Sequence, residues 1–363
     1  MSFVDFHLWQ WCSVFAISAA AVFGTSRWLV SATDTIGGYT GLSRGFLGAV
    51  MLATATSLPE IFTGVSAVTL TGSPDLAVGI VFGSNLFNLL IIGVMELTIL
   101  GPSLLSSLSK PTKLSMILSG LLILAAIVLL ASLQSEVEYS PFTKSVATSI
   151  LIAMYASFLW LLHRAEVSEN FSQPGELAAR VSEHSPQTDE PARARAAFAR
   201  AIGLYSLSTL LIALASIGLS IAGENIGILT GLSASFVGSL LIALSTSLPE
   251  VATSFAALRI GSPDMAVSNM TGSNLFNTGI VLFTSDVAFQ ASQNKYLLSS
   301  VSSSHLITAA ISLTMTAIVA TGAYIGPSGR KRYGTLTVGS VALILLFLVA
   351  QYWLFADSSF NPG

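Results

Sequence analysis

The chain has 363 residues, of which 53% are hydrophobic and only 9% charged. A soluble domain carries about a quarter charged residues, so this composition excludes one and points to an integral membrane protein. The formal charge of −3, without any long basic run, excludes a nucleic-acid partner, and the single cysteine, Cys12, excludes intrachain disulfides and Cys-based metal sites.

A bilayer core of about 30 Å takes about 20 helical residues. On that measure the sequence predicts ten spans, roughly 9–31, 42–69, 75–99, 114–133, 143–163, 198–221, 231–258, 264–287, 305–323 and 334–355. The first lacks the basic region and cleavage site of a signal peptide and reads as a retained span. Trp9, Trp11, Trp160, Tyr352 and Trp353 fall near span ends, where aromatic belts form. With ten spans, Arg27, Arg44, Lys110, Lys113, Arg164 to Arg200, Arg259, Arg330, Lys331 and Arg332 share one side, leaving Lys144 and Lys295 opposite. The positive-inside rule then puts both termini outside and the central linker in the cytoplasm. That linker, 164–197, mixes acids such as Glu166, Glu176 and Asp189 with several Arg and Pro174, Pro186 and Pro191. It reads as a solvated, flexible or partly helical connector rather than a cation-binding regulator.

The stretches on either side of it repeat each other. IGGYTGLS from Ile36, TSLPE at Thr56–Glu60, GSPDLAV and GSNLFN ending at Asn88 return as IGILTGLS from Ile226, TSLPE at Thr246–Glu250, GSPDMAV and GSNLFN ending at Asn277. The offset is 190 residues up to Glu250 and 189 from Gly261. Five spans per half is an odd number, so the second copy enters the bilayer from the opposite face. The expected architecture is all-α and polytopic: a first repeat over 1–163, the linker over 164–197 and a second, inverted repeat over 198–363.

Glu60 and Glu250 lie mid-span with no other charge within eight residues. An ionised carboxylate there costs several kcal/mol unless it is paired or hydrated, so two at equivalent positions point to a shared bound cation. Pro59 and Pro249 cannot donate to the preceding turn, which is expected to free carbonyls around Ala53 to Ala55 and around Ala243 and Ser245 for a ligand. Thr56 lies four residues before Glu60 and Ser84 four before Asn88, so each pair shares a helix face; Thr246 with Glu250 and Ser273 with Asn277 repeat this. Ser57 and Ser247 add hydroxyls. The result is an all-oxygen set suited to hard cations, calcium above all. Ser73 and Ser262 are expected to cap helices opened by Pro74 and Pro263, with Asp75 and Asp264 at their positive ends. Asn85 and Asn274 either reach ions or bridge helices. Glu96 and Asp286 are candidates for an entrance, Asp34 and Glu224 for an interface or vestibule, and Gly83 and Gly272 for close helix approach. The four histidines are scattered and suggest no metal site.

At these blocks the chain resembles the calcium/cation antiporter superfamily, especially its sodium/calcium exchanger branch, over about 36–97 and 226–286. The resemblance implies transported Ca²⁺ and Na⁺ (or H⁺) bound by Thr56, Ser57, Glu60, Ser84, Asn88, Thr246, Ser247, Glu250, Ser273 and Asn277 with the Ala53 and Ala243 carbonyls. Spans 1 and 6 are expected to move past a fixed core. No catalytic role, cofactor or obligatory protein partner is expected beyond the lipid bilayer, and a bacterial inner membrane is the expected location. Two departures stand out. The glycine that usually precedes TSLPE is Ala55 or Ser245 here, and both second-block positions are Asn, where sodium/calcium exchangers often carry one acid. Two carboxylates match one Ca²⁺, two Na⁺ or two protons, which keeps proton coupling in contention. A passive channel is the rival from another class, and a membrane enzyme would need a nucleophile–base pair the chain lacks.

Overall fold

The structure is a computed structural model that describes residues 7–70, 72–98, 103–135, 139–172, 191–230, 244–324, 332–333 and 336–360. The first half comprises α1 (Leu8–Thr40), α2 (Arg44–Leu47), a π-turn (Gly48–Leu52), α3 (Ala53–Thr56), α4 (Leu58–Thr69), α5 (Pro74–Thr98), α6 (Lys110–Leu133) and α7 (Pro141–Ser172). The second comprises α8 (Pro191–Thr230), α9 (Leu248–Arg259), α10 (Pro263–Phe276), a second π-turn (Asn277–Val281), α11 (Leu282–Gln293), α12 (Ser304–Tyr324) and α13 (Val338–Phe360). A two-residue antiparallel pair, Arg332–Tyr333 with Leu336–Thr337, precedes α13. These helices fall on the ten predicted spans; residues 231–243 of the seventh lie outside the described residues. Among the described residues six helices are long and apolar enough to cross a membrane unaided, and the bent pair 44–56 with 58–69 makes a seventh. The linker is helical at both ends, to Ser172 and again from Pro191.

Local sequence explains the boundaries. Ser109 accepts the Thr112 N–H and Pro111 sits in the first turn of α6, where its missing donor costs nothing. Ser73 caps α5 weakly, accepting Leu76 N–H at 3.4 Å. Ser262 does not cap α10 as expected; its hydroxyl is buried without a partner, and only its carbonyl accepts the Ala266 N–H. Gly72 and Gly261, equivalent glycines of the two GSPD turns, take φ of 63° and 73°, a conformation that a Cβ disfavours.

Polar contacts at the helix ends show how the halves are arranged. At the end where the linker emerges, Glu166 accepts from the Ser43 N–H at 2.5 Å and from its hydroxyl. There too Asp264 accepts from Ser109 N–H and the Thr112 hydroxyl, both at 2.7 Å. At the opposite end Asp75 accepts from Ser302 N–H at 2.7 Å and faces His305 Nε2 at 3.1 Å. Asp75 and Asp264 are the same residue of the repeat, yet they bind loops at opposite ends of the bundle. The repeats are therefore inverted. Both aspartates tie down a distant loop, a role beyond the local one expected of them. Asp286 likewise accepts from Thr148 at 2.6 Å and Leu297 N–H at 2.8 Å, and Glu96 accepts from Leu105 N–H at 3.3 Å, so both brace helix ends.

Large apolar side chains face outward on the peripheral helices, among them Trp9, Ile17, Trp28, Trp160, Leu214 and Tyr352, whereas Glu60, Glu250, Asn88 and Asn277 are fully buried. That inversion of the soluble pattern fits a lipid surround. Trp11 departs from the expected belt: it is buried. Inside, α10 lies against the first π-turn so closely that a Cβ on Gly272 would sit 2.6 Å from the Ala49 Cα. Backbone cannot yield as a side chain does, so Gly272→Ala is expected to cost about 1–3 kcal/mol of overpacking. It should lower the thermal midpoint in detergent, while Gly203→Ala, with nothing within 4 Å of its Cβ, should not.

Candidate functional site

Each TSLPE segment is a helix break with the same geometry. Ser57 has φ −91° and ψ 8°, Ser247 φ −88° and ψ 1°, and in each case a new helix starts at the following Leu. The axes of the two parts of the first break differ by 41°. Proline falls within the first turn of the new helix, where no intrahelical donor is required of it. Glu60 and Glu250 therefore sit in the first turns of α4 and α9, where unpaired N–H groups and the helix dipole favour negative charge. The break thus acts on the glutamate as well as on the Ala55 carbonyl, to which Pro59 has no N–H to donate. Ala53 O, expected to be freed, accepts the Ser57 N–H at 3.0 Å and the Thr56 hydroxyl at 3.4 Å.

The two breaks meet at the centre of the bundle. Thr56, Ser57, Glu60, Ser84, Asn88, Thr246, Ser247, Glu250, Ser273 and Asn277 are all 0% exposed, and Ala53 is 1% exposed. Ala243 lies outside the described residues. The halves exchange contacts: Ser57 of the first donates to Glu250 Oε1 at 3.0 Å, and Ser273 donates to the same oxygen at 3.3 Å. Thr246 of the second half and Ser84 of the first lie beside the Glu60 carboxyl. Asn88 donates to Asn274 Oδ1 at 3.0 Å, and Asn277 donates to Asn85 Oδ1 at 3.5 Å, the same bond in reverse across the pseudo-twofold. Asn85 also donates to Thr278 at 2.9 Å. Asn85 and Asn274 are thus helix bridges that orient the amides of Asn88 and Asn277.

Once these bonds are made, a set of buried oxygens is left over. Both carboxylate oxygens of Glu60, Glu250 Oε2, the Oδ1 atoms of Asn88 and Asn277 and the hydroxyls of Ser84 and Ser247 have no hydrogen-bond partner. A buried acceptor without a donor costs about 1–3 kcal/mol, and a charged one more. All seven atoms belong to residues singled out by the repeat, and all are hard oxygen donors. Among the described residues no three His, Cys, Asp or Glu side chains cluster to hold a metal. Any cation here is held by two carboxylates and neutral oxygens.

One part of the centre was not anticipated. Asn269 donates to Ser254 at 2.9 Å, Thr253 at 3.0 Å and the Glu250 carbonyl at 3.4 Å, pinning the start of α9 against α10. The signal lay in comparing the two copies: Ser268, Asn269 and Thr271 stand where the first has Gly79, Ile80 and Phe82. Replacing Asn269 by its first-copy counterpart, Asn269→Ile, removes up to three hydrogen bonds. It should cost about 1–2 kcal/mol of stability, measurable as a lower thermal midpoint in detergent.

Inverted five-helix halves around two broken helices and a buried, all-oxygen centre define an exchanger-type membrane transporter fold. A family model described as sodium/calcium exchanger protein matches residues 11–163 and 200–356. The chain belongs to that family, and with it to the calcium/cation antiporter superfamily. Its fold is that of the sodium-calcium exchanger NCX_Mj soaked with 10 mM Na⁺ and zero Ca²⁺, at a TM-score of 0.68 and 19% identity over 98% of this chain and 100% of that one. In sequence it is 30% identical to "Inner membrane protein YrbG" of Escherichia coli (strain K12) over 250 residues, covering 67% of this chain and 69% of that protein. It is 34% identical over 100 residues to "Putative antiporter CaxA" of Alkalimonas amylolytica, covering 27% of this chain and 30% of that one.

Proposed function

We propose that the chain is a secondary antiporter that exchanges Ca²⁺ for Na⁺ by alternating access at the centre between Glu60 and Glu250. The observation that carries this reading is the leftover set of buried oxygens, drawn from both inverted halves and paired with no lysine or arginine among the described residues. Bound Ca²⁺ would be neutralised by the two carboxylates and take neutral ligands from Asn88, Asn277, Ser84 and Ser247. Thr56, Ser57, Thr246 and Ser273 complete the proposed set. Because Ca²⁺ and Na⁺ would use the same oxygens, occupancy by one opposes the other, and that exclusion couples their fluxes. Residues 1–163 and 198–363 are the two exchanging repeats in this reading, with 164–197 as a cytoplasmic linker, both termini outside and the bacterial inner membrane as the location. The NCX_Mj and CaxA names support an exchanger and an antiporter respectively.

The second reading is Ca²⁺/H⁺ exchange, favoured by Asn at both 88 and 277, which leaves two carboxylates to be neutralised by two protons as readily as by two Na⁺. Everted vesicles separate the two. Calcium uptake is expected to be driven by an outward-directed Na⁺ gradient and to persist when the proton gradient is collapsed; uptake driven only by protons would select the second reading. Flux of either ion without the other would mean a channel. Glu60→Gln should reduce exchange about thirtyfold or more, since truncating a buried charged contact costs about 2–5 kcal/mol.

The site also predicts a stability effect separate from transport. Ca²⁺ at 100 times its dissociation constant should stabilise the purified protein by about 2.7 kcal/mol. The rise in thermal midpoint should vanish in the Glu60→Gln/Glu250→Gln double variant. A rise that survives both substitutions would place calcium elsewhere.

A further inference from the structure

Helices α1 and α8 form a layer of their own. They pack mainly along each other, and only 28% of the apolar stretch of either is buried, against 72% for α5. Such a peripheral pair is free to shift against the core to the extent that its polar ties permit. Two ties are well defined. Tyr205 of α8 donates its hydroxyl to Met51 O at 2.9 Å. Met51 lies inside the π-turn Gly48–Leu52, where the altered pairing of a π-turn leaves a carbonyl open to an outside donor. The second tie joins Arg44, at the start of α2, to Asp34 of α1, with Nε at 2.8 Å and Nη2 at 3.3 Å from its two oxygens.

Both ties lie toward the same end of the membrane. Arg44 adjoins Ser43, which Glu166 binds at the start of the linker. Met51 precedes Thr56 by five residues, placing it about 7.5 Å from the candidate site toward that end. A buried hydroxyl lies close to Tyr205 along α8. One turn along α8, the Ser208 hydroxyl is fully buried and unpartnered, and beyond it α8 rests on α3 and α4, which carry Thr56 and Glu60. Parting α8 from the π-turn would uncover Ser208 and then the helices of the site.

The inverted copy supplies neither donor. At the 190-residue offset, Tyr205 corresponds to Phe15 and Arg44 to Ala234, and neither side chain can donate a hydrogen bond. Phe15 instead packs with Val22, Leu219 and Leu248 in an apolar cluster. We infer that Tyr205 and Arg44 are positioning residues that hold the linker-side approach to the site closed, and that Phe15 and Ala234, at the equivalent positions of the other copy, supply no such donor. This rests on the exchange reading for its purpose, though not for its test. Losing one net hydrogen bond shifts a two-state equilibrium roughly two- to tenfold, so either residue biases the resting population without locking it.

The test uses the full-length chain in vesicles of known orientation, with Cys12→Ser removing the native thiol and Ser208→Cys as reporter. A membrane-impermeant maleimide should label the reporter slowly from the linker side. Adding Tyr205→Phe or Arg44→Gln should speed that labelling about two- to tenfold and leave labelling from the opposite side no faster. An unchanged rate, or equal acceleration from both sides, would overturn the proposal. Should the reporter variant misfold, Tyr205→Phe alone decides in transport. The apparent KM for Ca²⁺ should fall at the linker side and rise at the other, because each side binds only the fraction of sites facing it. A role limited to packing would lower the rate from both sides and leave the two KM values alone. Labelling requires no ion flux, so absence of exchange in the unmodified protein would remove the transport reading and leave the latch to be judged separately.

Discussion

Two buried carboxylates that no lysine or arginine pairs among the described residues constrain everything else in this molecule. Water is the usual partner of such groups, and the bundle removes it from Glu60 and Glu250 entirely. The surroundings offset this in part. Each glutamate occupies the first turn of a half-helix, and hydroxyls from the other half turn toward it: Ser57 toward Glu250, Thr246 toward Glu60. On the exchange reading, what remains is a deficit of positive charge that a cation from outside the chain would supply. The broken helices, the close packing at Gly272 and the four bridging asparagines are the means by which that deficit is held in place.

Much of this was legible in the sequence, for physical reasons. A carboxylate in hydrocarbon is so costly that its mere presence, twice, identifies the centre. An odd number of spans per repeat dictates inversion, and Asp75 and Asp264 at opposite ends of the bundle bear this out. Less legible were directions of effect. Proline is expected to free carbonyls from Ala53 to Ala55; Ala53 O is engaged by the Ser57 N–H, and the break also creates a helix N-terminus for glutamate. Ser73 and Ser262 look identical in GSPD, yet only Ser73 caps, while Ser262 stands at φ −115° and ψ 74° with its hydroxyl unpartnered. Asp75 and Asp264 bind loops far away in sequence and Asp286 reaches Thr148 on α7, and no spacing rule reaches that distance.

The asparagines show how a polar bridge can serve a site without joining it. Asn274 accepts from Asn88, and Asn85 accepts from Asn277, so two side-chain carbonyls take up two amide N–H groups. The amides of Asn88 and Asn277 are thereby turned with Oδ1 left over. Had those positions been aspartate, no N–H would have been available and the bridging residues would have needed other partners. The neutral amide is therefore coupled to the bridge, and the net charge of the centre to the packing of α5 against α10.

Duplication explains the shared centre, but the differences between copies explain why its two faces need not behave alike. Thr278 gives Asn85 a hydroxyl where the first copy has Leu89, and Asn269 pins α9 where the first copy has Ile80. Tyr205 and Arg44 bind across helices where Phe15 and Ala234 cannot. A perfectly symmetric inverted repeat would populate its two open states equally, since each is the mirror of the other in energy. Every polar substitution made in one copy alone lifts that degeneracy by an amount of order one hydrogen bond, about 1 kcal/mol. On the exchange reading the glutamates must stay equivalent for both halves to grip one ion, whereas the flanking residues are free to diverge, and it is there that we place the setting of the resting orientation.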